Sequence, residues 1–365
     1  MIQTHRENIG TLPREATTPL RNRAVMRWLF IFASLVAFLI VFGGFVRLTR
    51  SGLSITEWNP ISGTLPPIGA QAWQEEFVKY QATPEFQQIN FDMTLEEYKY
   101  IFYIEWFHRF LARFAGLVYA IPVFYFLFTK QIPFKEFGIY FLMGSLFIAQ
   151  AFAGWVMVAS GLVDRPSVSH FNLTIHLLLA LTLFGLALWT AFGHKFGFLD
   201  KTKHARWSLP SKLSLLSFIL LTIQIAYGGM TAGLKAGHVS DTWPLMFGKF
   251  IPPHLFSSFI NILESPQTIV FIHRWFAFAV FIAVAALYVV LRKQSASAEI
   301  HTGLNWLLGL VVFQIMLGIV TVLLRVQMIV ALAHQAGALS LFALLLYLMH
   351  RLRASDSISS YQIKT

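Results

Sequence analysis

No cysteine occurs among the 365 residues, which excludes disulfides, thiolate metal sites and cysteine nucleophiles. Charge is scarce as well. Only 12% of residues are Asp, Glu, Lys or Arg against 56% hydrophobic, and mean hydropathy is +0.62. That balance is too apolar for a soluble enzyme. No cleavable signal peptide is expected, because residues 1–27 are polar and hold Arg6, Arg14, Arg21, Arg23 and Arg27 ahead of the first apolar run.

What the chain has in their place is long apolar segments. Eight approach the length that crosses a bilayer, at residues 27–46, 101–128, 137–160, 170–192, 213–234, 267–291, 303–324 and 328–349. The expected fold is an all-α polytopic membrane protein with eight transmembrane helices. A net charge of +11 invites a nucleic-acid reading, but the placement of the basic residues is topological. The N-terminal tail, the 2–3, 4–5 and 6–7 connections and the C-terminal tail carry 17 of the 28 Lys and Arg. All lie on one side of an eight-span arrangement, which makes that side the cytoplasm and places both termini there. Lys195, Lys201, Lys203, Arg206 and Lys212 mark it most clearly. The expected surroundings are membrane lipid, with no nucleic-acid partner.

Between the first two spans lies an outer loop, residues 47–100, long enough to be functional or disordered. Its content argues for order. Pro84 suits the first turn of a short helix, Thr94 and Glu97 form a capping-box pattern, and the aromatics between 73 and 107 suit a lid lying against the membrane surface.

The chain repeats itself. Gly43-Gly44, Gly52, Trp58 and Pro67 recur as Gly228-Gly229, Gly237, Trp243 and Pro252 at a constant offset of 185. His108-Arg109 recurs as His273-Arg274, Gln150 with Gly154 as Gln314 with Gly318, and His176 pairs with His334. Two homologous four-helix bundles are expected, related by an axis along the membrane normal. The divisions are a cytoplasmic tail at 1–26, a first half at 27–192, a cytoplasmic linker at 193–212, a second half at 213–350 and a cytoplasmic tail at 351–365.

Four of the twelve histidines stand apart. His108, His176, His273 and His334 lie on spans 2, 4, 6 and 8, each soon after the chain enters from outside, so they share one depth toward the outer leaflet. Two facing imidazoles in a helical bundle make an axial pair for haem iron. A lone intramembrane histidine is more commonly a hydrogen-bonded packing residue; four at matched positions favour ligation. Zinc would want further ligands. His5, His194, His204, His301 and His350 read as solvated or interfacial residues at inner ends.

Glu105 lies one turn before His108, on the same helix face, and an ionisable residue in a span is a functional candidate. Its counterpart in the second half is Val270. If both halves hold a haem, the first is expected to hold the reacting one and the second a permanent cofactor. Arg109 and Arg274 are candidates for pairing with haem propionates, or for snorkelling to the interface. Gln150 and Gln314 are expected to bridge helices by hydrogen bonds.

On these residues the chain resembles the haem A synthase family over about residues 27 to 350. The resemblance rests on Arg47-Leu48-Thr49-Arg50-Ser51-Gly52-Leu53-Ser54, Glu57-Trp58, Gly63-Thr64-Leu65-Pro66-Pro67, Glu105-x-x-His108-Arg109, His176, His273-Arg274 and His334. Lacking cysteine, the chain is similar to the branch found in proteobacteria and mitochondria, and no thiol-based role carries over. The resemblance implies a multi-pass enzyme of the bacterial inner membrane that oxidises a methyl group of haem O to the formyl group of haem A for terminal oxidases. It implies haem O between His108 and His176, haem b between His273 and His334, and an essential Glu105. It also implies a haem O synthase (farnesyltransferase) and cytochrome oxidase assembly as partners, and admits a homo-oligomer.

Two other readings stand beside it. One is a two-haem b-type electron-transfer protein linked to quinone, against which the Glu105 and Val270 difference weighs. The other is a transporter with a midplane site, which the outward placement of the unusual residues disfavours. Visible absorption separates them: the purified protein is expected to be coloured with a haem spectrum, and a colourless preparation would favour the transporter.

Overall fold

The computed structural model describes residues 22–59, 62–163, 166–198, 207–294 and 296–362. His5, Arg6, Arg14, Arg21, Lys201, Lys203, His204 and Arg206, with most of the tail and linker divisions, lie outside the described residues. Among the described residues eleven α-helices run in chain order: α1 (Arg23–Leu48), α2 (Ala70–Gln81), α3 (Pro84–Gln88), α4 (Leu95–Phe128), α5 (Phe137–Ala159), α6 (His170–Phe196), α7 (Leu209–Gly233), α8 (Asn261–Glu264), α9 (Pro266–Arg292), α10 (Ala298–Leu323) and α11 (Met328–Gln362). No strand occurs among the described residues. Eight of the helices, α1, α4, α5, α6, α7, α9, α10 and α11, are long and apolar enough to span a bilayer, so the protein is an all-α, multi-pass membrane protein. The face bearing the α1–α4 connection is called outer below, after the charge bias.

Helix starts near an interface need partners for their first N–H groups, and the sequence provides them. Asn22 accepts from Ala24 and Val25 at 2.8 and 3.1 Å. Ser208, Ser265 and Ser297 cap α7, α9 and α10, the first two ahead of a first-turn proline. Thr94 and Glu97 form the reciprocal capping box expected of them. Pro122 inside α4 deprives the Val118 carbonyl of its intrahelical donor. The Trp28 indole on α1 supplies one instead, at 2.8 Å.

The helices of both halves share one apolar core, with Leu29, Phe32, Leu183, Ala187, Leu287, Leu304 and Leu345 at or near zero exposure. Its centre is where α1, α6, α7 and α11 meet. Small residues allow the close approaches there: Gly229 on α7 lies against Thr174 of α6, and Gln335 on α11 donates to the Ile40 carbonyl of α1 at 2.8 Å. Inner-end histidines differ from expectation. His194 and His350 are buried, His194 bonded to the Tyr140 hydroxyl at 2.8 Å and His350 set edge-on against Trp189. Each finds an aromatic partner where water was expected.

The outer loop is ordered, and some of the aromatics between 73 and 107 turn inward while Phe91, Tyr100 and Tyr103 stay exposed. Trp73, Phe77 and Tyr80 recur at helical spacing on α2 and form one buried stripe. They pack on Tyr98 and Phe102 of α4, with Tyr80 stacked on Tyr98 at 5.0 Å and Trp73 edge-on to Phe102 at the same distance. The 34-residue α4 is about 50 Å long, so its first turns stand clear of the bilayer and receive this lid. Pro84 opens α3, as expected.

Glu85 on α3 is 4% exposed, with the Tyr80 hydroxyl at 3.3 Å. Burial, reinforced by the charge of Glu105, pushes its carboxyl up to about 7, against the opposing pull of Tyr80, Lys235 and Arg50. The folded lid therefore binds this proton more tightly than the unfolded chain, whose carboxyl titrates near 4.3. Lid stability should be full below about pH 4.3 and decline as pH rises through about 7. Hydrogen exchange in α2 and α3, corrected for intrinsic rates, should accelerate across that window, and Glu85→Gln should flatten the profile.

Candidate functional site

Each of the four singled-out histidines is seated in the same way. His108 on α4 faces Gly43 of α1, His176 on α6 faces Gly154 of α5, His273 on α9 faces Gly228 of α7, and His334 on α11 faces Gly318 of α10. A side-chain carbon on the glycine would come within 3.4 Å of the first ring and within 3.1 Å of the other three. Glycine lets the imidazole reach the neighbouring backbone. The residue one turn before that glycine is Leu39, Gln150, Gln224 or Gln314.

Glutamine side chains add a second hold. Gln224 Nε2 lies 2.9 Å from the His273 carbonyl and 3.2 Å from its Nδ1. Gln314 treats His334 alike, at 2.7 and 3.2 Å. Gln150 meets His176 at Nε2 instead, at 3.2 Å. The position matching Gln224 in the first half is Leu39, which has no amide. Gln150 and Gln314 thus bridge helices as expected, and Gln224 is the residue that sequence reasoning missed. The shared Gln-x-x-x-Gly spacing of 150–154, 224–228 and 314–318 would have found it.

The imidazoles also pair. The His273 and His334 rings lie 6.3 Å apart, centroid to centroid, and nearly perpendicular. Two imidazole nitrogens each about 2 Å from one metal put their ring centroids about 6 Å apart, so this pair has the spacing of a shared iron. His108 lies within electrostatic reach of His176, with Phe42 stacked beside it. All four rings are half-buried. Among the described residues no three His, Asp or Glu side chains converge to hold a bare metal ion. Paired imidazoles in an apolar, aromatic setting fit a haem.

Glu105 is 3% exposed and every bond it makes is to a donor. Oε1 accepts from Arg109 Nε and Nη2 at 3.0 and 2.6 Å; Oε2 accepts from Ser54 Oγ at 2.7 Å and the Ile55 N–H at 2.9 Å. The ion pair and the outer loop thus lock each other. Arg109 spends its remaining donors on the carbonyls of Glu57 and Ile55, at 3.1 and 3.0 Å.

Arg274 repeats the pattern. It donates to the carbonyls of Thr242 and Ser240 at 3.0 and 2.6 Å, the positions 185 residues after Glu57 and Ile55. Both guanidiniums are therefore turned to loop carbonyls, which compete with any propionate. The acid is what does not repeat. Val270 lies in an apolar cluster with Ala236 and Met246, and Arg274 Nε is buried with no partner.

This difference sets an expected order of costs. Arg109→Ala strands a buried carboxylate and should cost about 3–5 kcal/mol. Arg274→Ala frees two carbonyls and should cost about 1–3 kcal/mol. Thermal unfolding of the two variants in one detergent checks the order.

Comparison with known proteins agrees with the geometry. The sequence profile of the cytochrome oxidase assembly protein family matches residues 26–346. The haem A synthase of Wolbachia pipientis subsp. Culex pipiens (strain wPip) is 41% identical over 341 residues, covering 92% of this chain and 99% of that protein. That of Nitrosospira multiformis is 41% identical over 359 residues, covering 94% and 98%. That of Rickettsia felis is 37% identical over 334 residues, covering 90% and 98%. With nearly every span inside these matches, the chain belongs to the cytochrome oxidase assembly protein family.

Proposed function

We propose that this protein is a haem A synthase, an oxidoreductase that converts a methyl group of haem O to a formyl group. The observation that carries the reading is the pair of like-built histidine seats of which only one has a buried acid beside it. The names of the relatives point the same way. His108 and His176 hold the substrate, haem O, in the first half. His273 and His334 in the second half hold a resident haem b, which supplies a one-electron carrier when bound.

The chain's own groups set the reaction. Glu105 sits one helical turn outward of His108, its carboxylate fixed by Arg109, Ser54 and the Ile55 N–H. With its lone pairs committed to donors, it acts as a preorganised negative charge that stabilises positive charge developing on the methyl carbon as electrons leave it. Arg109 and the outer loop are the positioning groups. The lid of α2 and α3 limits entry of bulk water. Water is the oxygen source: each of two rounds passes two electrons from the methyl carbon to a one-electron acceptor outside the chain, adds a water oxygen and releases two protons, and the geminal diol then loses water to give the aldehyde.

The remaining assignments follow the same reading. Both termini lie in the cytoplasm and the haem sites toward the outer side of a bacterial inner membrane. Haem O comes from a farnesyltransferase acting on haem b, and the product goes to terminal oxidase assembly.

Glu105→Gln keeps the shape and removes the charge. It should retain bound haem by visible absorption and lose haem A formation by on the order of 100-fold or more. Acid extraction and chromatography of the haems, after co-expression with a haem O supplier, measures this. Undiminished haem A would discard the role of Glu105.

A further inference from the structure

A substrate site must let its porphyrin leave, and a cofactor site must not. The two histidine pairs differ in the way this demand requires. In the second half Gln224 and Gln314 each donate to the backbone carbonyl of one histidine, with Nδ1 of the same ring 3.2 Å from the amide nitrogen. Both Nε2 atoms stay free of amide contacts. In the first half the same support is missing. Leu39 stands where Gln224 would be, and Gln150 bonds His176 at Nε2 while His176 Nδ1 is buried without a partner. His176 is thus tied to one side chain through one ring nitrogen, with no amide on its own backbone carbonyl.

Helix packing differs in the same sense. In the second half α9, which carries His273, lies closely along both α7 and α10. In the first half α4, which carries His108, touches α5 over a short stretch only. That stretch is at the inner end, where Gly116 meets Phe147, Gly144 meets Tyr119, and the Tyr119 hydroxyl bonds the Tyr140 carbonyl. Gly154 and His176 lie farther out.

From these two observations we infer that the first-half histidine pair is built to exchange its porphyrin, and that Gln224 and Gln314 are positioning residues that make the second-half pair retain one. The inference rests on the two-haem reading above and assigns the basis of retention to named amides.

The test follows haem transfer from the purified holoprotein to a large excess of apomyoglobin by visible absorption. The wild type should release haem in two phases, fast from the first half and slow from the second. Gln224→Leu, which copies Leu39, should speed the slow phase about tenfold or more and leave the fast phase unchanged. Leu39→Gln should slow the fast phase alone. A general loss of structure would move both phases together. If Gln224→Leu does not accumulate, Gln314→Leu tests the same hold from the opposite helix. Two phases that neither variant moves, or that move together, would overturn the inference and leave the two-haem reading standing. Protein with no haem, or with one per chain after loading with haem, would sink the two-haem reading and this inference with it.

Discussion

One contact organises the molecule: an imidazole laid against a glycine, made four times at matched positions. A side chain at any of the four glycines would crowd the ring, so each contact brings its two helices close. It also fixes the helix pairings, because α1 with α4, α5 with α6, α7 with α9 and α10 with α11 must each approach to backbone distance at one level. The site and the packing of the eight spans therefore answer to the same constraint.

Much of this was legible in the sequence. Eight apolar runs, the four matched histidines, the capping box and the opening of α3 at Pro84 all rest on side-chain identity at fixed spacing, which a sequence displays directly. What stayed hidden depends on the backbone. The carbonyls of Ile55, Glu57, Ser240 and Thr242 that receive the two arginines leave no trace in residue type, so Arg109 and Arg274 read as partners of haem propionates or as snorkelling side chains. The α2 helix was hidden for another reason: Trp73, Phe77 and Tyr80 read as interfacial aromatics until a partner surface on α4 is known. His194 and His350 looked solvated because their aromatic partners come from distant parts of the chain.

The two halves seat their histidines alike and differ in the side chains around them. Glu105 against Val270 gives one half a buried ion pair and leaves Arg274 Nε without an acceptor. Leu39 against Gln224 removes one amide. The loop carbonyls that receive the arginines are kept in both, so the loops hold their places whether or not the acid is present. The two histidine seats thus keep one geometry while the side chains around them differ.

Helix α4 joins parts of the molecule that would otherwise be independent. Its outer turns carry the lid through Tyr98 and Phe102, its middle carries His108, and Pro122 interrupts it near the inner end. The helix is unbroken between these two loads, so the lid and the imidazole are carried by one stiff rod and their separation is set by helix geometry alone.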